Sequence, residues 1–140
     1  MTSQPSILYL VKQVELSVRS HLDDMMRPLG MTTPLYTALT VLESHGQITS
    51  AQLARSSFVT SQSMADMVLS LEQRGYIERR RDGADRRRLL IGLTAKGRKF
   101  LAKHRPRAIA LENRMTSGLT SDEAADLRRY LESCRTALHD

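Results

Sequence analysis

The chain has 140 residues, of which 41% are hydrophobic and 26% charged, and its net charge is +6, so we expect one compact, basic domain. No apolar segment approaches the roughly 18 residues that cross a bilayer, residues 1–5 lack the features of a signal peptide, and the only cysteine, Cys134, has no disulfide partner. These features argue against a membrane-spanning or a secreted, disulfide-stabilised protein, and we expect a cytoplasmic protein with no membrane partner.

Two amphipathic helices are predicted at the start of the chain. Apolar residues recur at three- and four-residue steps from Ile7 to Met25, which is the spacing of one helical face, and Pro5 suits the first turn. Thr33 can cap a second helix that has Pro34 in its first position and stops at a glycine.

Two further helices and a tight turn follow. Thr49 and Gln52 have the spacing of a capping box, so a third helix of about two turns starts there. Residues 56–59 predict a turn, and Thr60 can cap a fourth helix that ends at Gly75.

After this helix the pattern changes from helical to extended. Residues 76–80 and 88–93 predict two strands joined by a turn at 82–85, which is a β-hairpin with a basic tip. Thr94 can cap a fifth helix, and a second capping box at Thr120 opens a sixth.

Two features of the last helices carry further expectations. Pro106 lies inside the fifth helical pattern and predicts a bend there. The apolar residues of the sixth helix, Cys134 among them, are expected to be buried. The predicted fold is mainly α, with about six helices plus a β-hairpin.

Basic residues are concentrated in the hairpin and in the helix after it. Between Arg74 and Arg107 there are 13 lysines and arginines against three acids, a balance of +10, whereas the rest of the chain has a balance of −4. Like charges packed this densely repel one another unless a polyanion meets them. The distribution therefore favours nucleic acid or another polyanion as the partner.

Two short helices joined by a tight turn, followed at once by a basic hairpin, form the arrangement of a winged helix-turn-helix. The second helix fits the major groove of duplex DNA, which is about 12 Å wide, while the hairpin reaches along the backbone toward the minor groove. The leading residues of that helix are short and mostly polar, and can approach base edges. They are Thr60, Ser61, Gln62, Ser63, Ala65 and Asp66. For any one of them a role in capping the helix is an equal alternative.

The hairpin carries the sharper signal, because two arginine triplets are expected on its two antiparallel arms. Guanidinium is the preferred partner of phosphate and enters narrow minor grooves, and a nearby carboxylate can fix its direction. The predicted DNA contacts in the hairpin and its surroundings are Arg79, Arg80, Arg81, Asp85, Arg86, Arg87, Arg88 and Lys96. Contact with double-stranded DNA is favoured here over a solvated surface.

Two other classes of function compete with DNA binding. An enzyme is disfavoured because the chain has no catalytic Ser/His/Asp or Cys/His arrangement, no phosphate-binding glycine loop and no paired metal ligands, so we predict no cofactor and no metal. A winged helix that contacts RNA or another protein is the alternative that charge leaves open. RNA modules usually present exposed aromatic residues, whereas the aromatic residues here are mostly in apparent core positions. They are Tyr9, Tyr36, Phe58, Tyr76, Phe100 and Tyr130.

An ordered set of motifs resembles the MarR family of transcription regulators. The segments are Leu53-Ala54, LEQRGYIER at 71–79, DRRR at 85–88 and LTAKGR at 93–98. Asp85-x-Arg87 followed by Leu93-Thr94-x-x-Gly97 is similar to that family's wing motif. The resemblance covers nearly the whole chain and implies that Arg87 enters the minor groove and that Asp85 orients it.

The resemblance also implies a homodimer in which the first, fifth and sixth helices interleave, and in which two lobes bind a pseudo-palindrome, with repression relieved by a ligand. We expect one domain over residues 1–140, with the winged helix-turn-helix lobe at 33–93 and a helical dimerisation region at 5–30 and 95–138. The apolar residues at both chain ends exceed what a single lobe can cover, which also favours a dimer. Asp66 stands where many relatives are expected to have a basic residue, so the resemblance does not define the base preference.

A small anionic aromatic ligand, such as a salicylate-like acid, is the predicted effector. Its site is expected between the dimer helices and the DNA-binding lobe, lined by Arg19, His21, Met25, Met31, Tyr36 and Thr40. Adaptable core packing is the alternative for the methionines, since flexible thioether side chains fill irregular gaps. Oxidant and metal sensing are disfavoured, because Cys134 lies in apolar register and the four histidines have no paired spacing.

Overall fold

The computed structural model describes residues 3–139 and contains, within them, six α-helices and one two-stranded β-hairpin. The helices are α1 (Ile7–Met26), α2 (Thr33–His45), α3 (Ser50–Ser57), α4 (Ser61–Gln73), α5 (Ala95–Met115) and α6 (Ser121–Leu138), and the strands are β1 (Ile77–Arg81) and β2 (Leu89–Leu93). One turn of 3-10 helix, Arg27–Leu29, follows α1. The prediction of a mainly helical fold with about six helices and a hairpin is confirmed.

The described chain separates into two compact units, which divide between Arg105 and Pro106. The first unit holds α1 to α4, the hairpin and the start of α5, and the second holds the rest of α5 and α6. Pro106 lies inside α5, which continues to Met115, so the proline does not end the helix. Within residues 3–139 no helix is both long and apolar enough to cross a membrane.

Two helix starts differ from the sequence prediction. The cap of α2 is Thr32, whose hydroxyl accepts a main-chain hydrogen bond at 3.3 Å, and Thr33 is already the first helical residue. The Thr33 hydroxyl instead donates to the Asp23 carboxylate and so joins α2 to α1. In the same way Ser6 caps α1, and Pro5 precedes the cap instead of lying in the first turn.

Both predicted capping boxes are confirmed. The Thr49 hydroxyl accepts from the Gln52 amide at 3.2 Å, and the Gln52 side chain accepts from the Thr49 amide at 2.9 Å. Thr120 and Glu123 form the second box in the same way, at 3.1 and 2.8 Å. Each box satisfies amides that have no partner inside the helix, so even the short α3 begins at a defined residue.

The hydrophobic core of the first unit is built around α2. Ala38 and Leu39 of this helix are completely buried, and side chains from α1, α3, α4 and both strands join them in one cluster. The largest fully buried side chains are Met26, Leu39, Leu42, Leu53, Met64, Val68, Leu71 and Ile91. Met64, Val68 and Leu71 form the buried face of α4, and this packing leaves the opposite face of the helix exposed.

The chain enters the hairpin at Gly75 and Tyr76 and leaves it at Thr94, and these residues pack closely together with Gly97. This contact is called the seam. The Thr94 amide donates to the Tyr76 carbonyl at 3.1 Å, and the Thr94 hydroxyl donates to the Gly75 carbonyl at 2.6 Å. The same hydroxyl accepts from the Gly97 amide at 3.1 Å, so Thr94 caps α5 as predicted. Gly97 packs directly on this backbone, since a Cβ atom there would lie 2.2 Å from the Tyr76 carbonyl oxygen. The seam therefore requires a glycine at this position.

The prediction that α6 buries its apolar residues is wrong for the single chain. Leu131 is 48% exposed, Leu138 is 79% exposed, and Cys134 is also exposed. The start of α1 is similar, since Ile7 and Leu8 are 78% and 82% exposed. Both helices are amphipathic, and within residues 3–139 these apolar positions stay largely or half exposed.

Candidate nucleic-acid interface

The N-terminal part of α4 presents its polar side chains to solvent. All six residues predicted for this surface are exposed, whereas Met64 between them is completely buried. They are Thr60, Ser61, Gln62, Ser63, Ala65 and Asp66. The Thr60 hydroxyl accepts from the Ser63 amide at 3.0 Å, so for Thr60 the capping interpretation holds. The side chains of Ser61, Gln62 and Asp66 have no hydrogen-bond or ion-pair partner within residues 3–139 and are available to a ligand.

The turn between α3 and α4 is built on a residue with left-handed backbone. Phe58 has a φ of 57° and ends α3, and its amide donates to the Arg55 carbonyl at 3.3 Å. The Val59 amide donates to the Ala54 carbonyl at 3.1 Å and closes the turn. The Phe58 side chain is 90% exposed, and Tyr9 and Tyr130 are 56% and 57% exposed, so the expectation that the aromatic residues lie mostly in the core is wrong for three of the six. Val59, the next residue, is the one that packs against the core.

An ion pair joins the base of the hairpin to the end of α4. Arg79 of β1 donates two hydrogen bonds to the Glu72 carboxylate, from Nε to Oε2 at 3.1 Å and from Nη2 to Oε1 at 2.8 Å. These hydrogen bonds hold the pKa of Glu72 below its usual value. Because two parallel hydrogen bonds hold the guanidinium and the carboxylate in one geometry, this ion pair favours a single orientation of the hairpin relative to α4. The Arg79 guanidinium is therefore occupied within the chain.

Replacing Glu72 with glutamine is expected to lower the free energy of unfolding by about 0.5 kcal/mol at neutral pH, which is typical of a solvent-exposed ion pair. Because the pair depresses the pKa of Glu72 in the folded state, its stabilisation is present above the unfolded-state pKa and is lost as the pH falls through the folded-state value. Urea unfolding of both proteins at about pH 7 and about pH 3 measures this difference, which should narrow at the lower pH. An equal difference at both pH values contradicts an electrostatic origin.

Lys96 and Arg80 also have partners inside the chain. Lys96 Nζ donates to the Arg74 carbonyl at 2.6 Å and lies 4.9 Å from the centre of the Tyr76 ring. Arg80 pairs with Glu78 at 2.8 Å on β1. Both cations are therefore engaged by groups of the chain itself.

Strand pairing places the second arginine triplet in a loop instead of on a strand. β1 pairs antiparallel with β2, so that Arg79 lies opposite Ile91 and Arg81 lies opposite Leu89. One arm of the hairpin is thus basic and the other is apolar. The expectation of a basic triplet on each arm is corrected, because residues 86–88 belong to the connection between the strands.

Hydrogen bonds inside this connection, the wing tip (residues 82–88), define its backbone. The Asp82 amide donates to the Arg88 carbonyl at 2.9 Å, and the Arg88 amide donates to the Asp85 carbonyl at 3.0 Å. The Asp85 carboxylate accepts from the main-chain amide of Arg87 at 3.1 Å. Asp85 therefore positions Arg87 through its backbone, and the guanidinium of Arg87 stays unbound.

Two arginines of the wing tip are available for a polyanion. The side chains of Arg86 and Arg87 are exposed and make no hydrogen bond or ion pair with any residue in 3–139. Their neighbours are engaged, because Arg81 donates to the Arg86 carbonyl at 3.1 Å and Arg88 lies 3.8 Å from the Asp82 carboxylate. Among the described residues, the hairpin arginines whose side chains have no partner therefore lie at its tip.

Comparison with known proteins identifies relatives of this arrangement. Residues 29–88 match the model of the MarR family. An HTH-type transcriptional repressor of Mycobacterium tuberculosis is 31% identical over 124 residues, which make up 89% of this chain and 89% of that protein. The chain belongs to the MarR family. The transcriptional regulator HosA of Escherichia coli is 29% identical to this MarR-family protein over 93 residues, 66% of this chain and 69% of HosA.

Solved structures share the fold of this MarR-family protein. A MarR family transcriptional regulator from Silicibacter pomeroyi superimposes with a TM-score of 0.89 at 23% identity, covering 94% of this chain and 88% of that one. Staphylococcus aureus MepR in its DNA-binding conformation gives a TM-score of 0.85 at 22% identity, and the superposition covers 96% of this chain and 100% of MepR. The predicted winged helix-turn-helix fold is confirmed. As a member of the family the protein is a DNA-binding transcriptional regulator and not an enzyme.

The six residues predicted for an effector site are divided between the core and the helix surface of this MarR-family protein. Met25, Met31 and Tyr36 are buried in the core, where burial raises the pKa of the Tyr36 hydroxyl. The other three, Arg19, His21 and Thr40, have hydrogen-bond partners within their own helices. Cavities of about 400 and 440 Å³ lie between α5 and α6 and beside β2, and neither is lined by any of the six. Among residues 3–139 no group of three or more His, Cys, Asp or Glu side chains is placed to hold a metal ion.

Two exposed residues of the helix-turn-helix, Arg55 and Phe58, were not among the DNA contacts predicted from the sequence. Phe58 is exposed in the turn, and Arg55, also exposed, has no side-chain partner in the described part of the chain. Arg55 is the only lysine or arginine between Arg27 and Arg74, and this isolation is a signal that sequence reasoning can use. Phe58 gives a weaker signal, a large apolar residue inside a short polar turn.

Proposed function

We propose that this MarR-family protein is a cytoplasmic, ligand-responsive repressor that binds a pseudo-palindromic operator in duplex DNA as a homodimer. The observation that carries the proposal is the combination of an exposed polar helix start with two unpartnered arginines, Arg86 and Arg87, at the wing tip. The start of α4 has the dimensions and the polarity to enter a major groove. The wing tip has the charge to follow phosphates and to enter the neighbouring minor groove.

Exposed apolar residues at both ends of the chain support the homodimer. They lie on α1, on the second half of α5, in the loop after it and on α6. They include Ile7, Leu8, Leu10, Val11, Val14, Ile109, Met115, Leu119, Leu131 and Leu138. Exposed apolar surface in such quantity normally marks an interface. We assign residues 5–30 and 95–138 to dimerisation and residues 33–93 to DNA binding.

A two-fold symmetric dimer determines the form of the operator. It presents two α4 helices that bind successive major grooves about 34 Å apart, so the two half-sites form an inverted repeat. The Mycobacterium tuberculosis relative is named a repressor, which favours repression over activation here.

The effector that we propose is a small aromatic acid of the salicylate type. Met25, Met31 and Tyr36 lie in the core where α1 meets α2, so a ligand reaches them only if this region repacks. Thioether side chains permit such repacking because they have several accessible rotamers. The dimer that we propose has two states, which differ in the distance between its two DNA-binding lobes. A ligand that binds more tightly to the state that does not fit the two major grooves shifts the dimer away from DNA binding.

Selection of bound duplexes from a random pool tests the proposed function. We expect enrichment of an inverted repeat whose half-site centres are about one helical turn apart, with an affinity that falls steeply as salt rises. Fluorescence anisotropy on the selected duplex gives the affinity, and millimolar salicylate is expected to lower it. Failure to retain any duplex in dilute buffer, or an affinity that ignores ionic strength, overturns DNA binding. Insensitivity to salicylate overturns only the effector assignment.

A further inference from the structure

Phe58 combines two unfavourable features in one residue. Its backbone is left-handed, with a φ of 57°, and it is the only non-glycine residue with positive φ in the part of the chain that the structure describes. Its ring is 90% exposed, so no core contact compensates for the backbone conformation. Glycine or asparagine adopts this conformation at the end of a helix at lower cost. The fold alone therefore gives no reason for a phenylalanine here.

Phe58 lies in the turn of the helix-turn-helix that leads directly into the proposed major-groove surface. It lies two residues before Thr60, the cap of α4, and hydrogen bonds from the Phe58 and Val59 amides hold the turn at the end of α3. Arg55, whose carbonyl accepts from the Phe58 amide, has an exposed side chain with no partner among the described residues. Along the chain, an exposed aromatic residue thus follows an unpartnered cation and precedes a polar helix start.

We propose that Phe58 is a specificity-determining residue that packs against a thymine C5-methyl group at the edge of the major groove. The proposal deepens the DNA-binding function proposed above and rests on it. The major groove presents the thymine methyl group as its one apolar feature, and apolar side chains recognise it by contact. Burying the ring against that methyl group removes apolar surface of both partners from water. In the complex the ring gains the contact that the free protein does not give it.

The test uses two substitutions that suit the left-handed backbone, Phe58→Gly and Phe58→Asn. Both are expected to reduce affinity for the selected operator about tenfold, because the ring contact is lost. The slope of log affinity against log salt should not change, since an apolar side chain releases no counterions. Neither substitution should lower the Tm, because both residues accept the backbone conformation more readily than phenylalanine.

Replacing single thymines of the operator with deoxyuridine removes one methyl group at a time. The wild-type protein is expected to lose affinity at one position in each half-site, and Phe58→Asn should be insensitive at that same position. This coupling between protein and base is the signature of direct contact.

Three results overturn the proposal. Unchanged operator affinity in both variants excludes a contact, and a Tm that falls in both variants shows a structural role. Wild-type binding to single-stranded RNA that exceeds duplex binding and is lost in both variants shows base stacking in place of methyl recognition. If the Phe58 variants bind normally while removal of Arg86 and Arg87 abolishes binding, the proposed function stands and the role of Phe58 fails.

Discussion

Removal of both free wing-tip arginines, in the variant Arg86→Ala/Arg87→Ala, is expected to reduce operator affinity about 100-fold at constant salt. Each exposed arginine that contacts phosphate or a minor groove contributes roughly 1 to 3 kcal/mol, and neither side chain has a partner within residues 3–139 whose loss would disturb the fold. The slope of log affinity against log salt should also fall by up to about 2, because two fewer counterions are released. Fluorescence anisotropy over a salt series measures both quantities.

The matched control is Arg128→Ala/Arg129→Ala, which removes an adjacent pair of exposed arginines from α6. It changes the net charge by the same amount outside the proposed DNA-binding lobe, and it also removes ion pairs to Glu112 and Asp126, so it reports the effect of overall charge where the dimer is unchanged. We expect a loss of affinity below about threefold, with the oligomeric state checked by size-exclusion chromatography. If both double variants lost operator affinity equally, the effect would be due to overall charge, and a specific role of the wing tip would be contradicted.

The second large effect is expected at the seam, where Gly97→Ala should destabilise the protein by about 3 kcal/mol. A Cβ atom at this position would lie 2.2 Å from the Tyr76 carbonyl oxygen, a backbone atom that cannot rotate away. Either α5 or the start of β1 has to move, and the hydrogen bond from the Thr94 amide to the same carbonyl is strained or lost. In an unobstructed helix the same substitution normally stabilises, so the sign of the change identifies the contact.

Urea unfolding followed by circular dichroism measures this change. Gly118→Ala is the control, because a Cβ atom at Gly118 meets no heavy atom within 4 Å. We expect the control to differ from the wild type by less than about 0.5 kcal/mol. A Gly97→Ala protein as stable as the control would show that the backbone of Tyr76 does not approach α5 as closely as described.

Local chemistry explains which parts of the fold were predictable from the sequence. Thr49 with Gln52 is a complete signal, since both partners of the capping box lie within four residues and need nothing else from the fold. The hairpin was predictable for a similar reason, because its alternation and its turn residues are local. The cap of α2 lies one residue before the predicted Thr33, because the Thr33 hydroxyl is used in a contact with α1, which the local pattern does not contain.

Features that depend on distant or absent partners were not predictable. Phe58 is large and apolar, as core residues usually are. In the folded turn, however, it is Val59 that packs against the core, while Phe58 is exposed. Arg79 and Lys96 looked equivalent to the wing-tip arginines in the sequence, but the fold brings each of them to an acceptor. The apolar register of α6 predicted burial, but the described chain leaves Leu131, Cys134 and Leu138 exposed, and only the proposed dimer would cover them.

The hydrogen bonds that define the wing tip also bear on how quickly the protein finds its target. A loop that already has its bound shape before it meets DNA loses little conformational entropy on binding. Association is then not slowed by a rearrangement of the loop. In the DNA complex that we propose, the two unbound guanidinium groups of the wing tip attract phosphate from several ångströms away. We therefore expect the wing tip to contribute to the rate of association as well as to the strength of the complex.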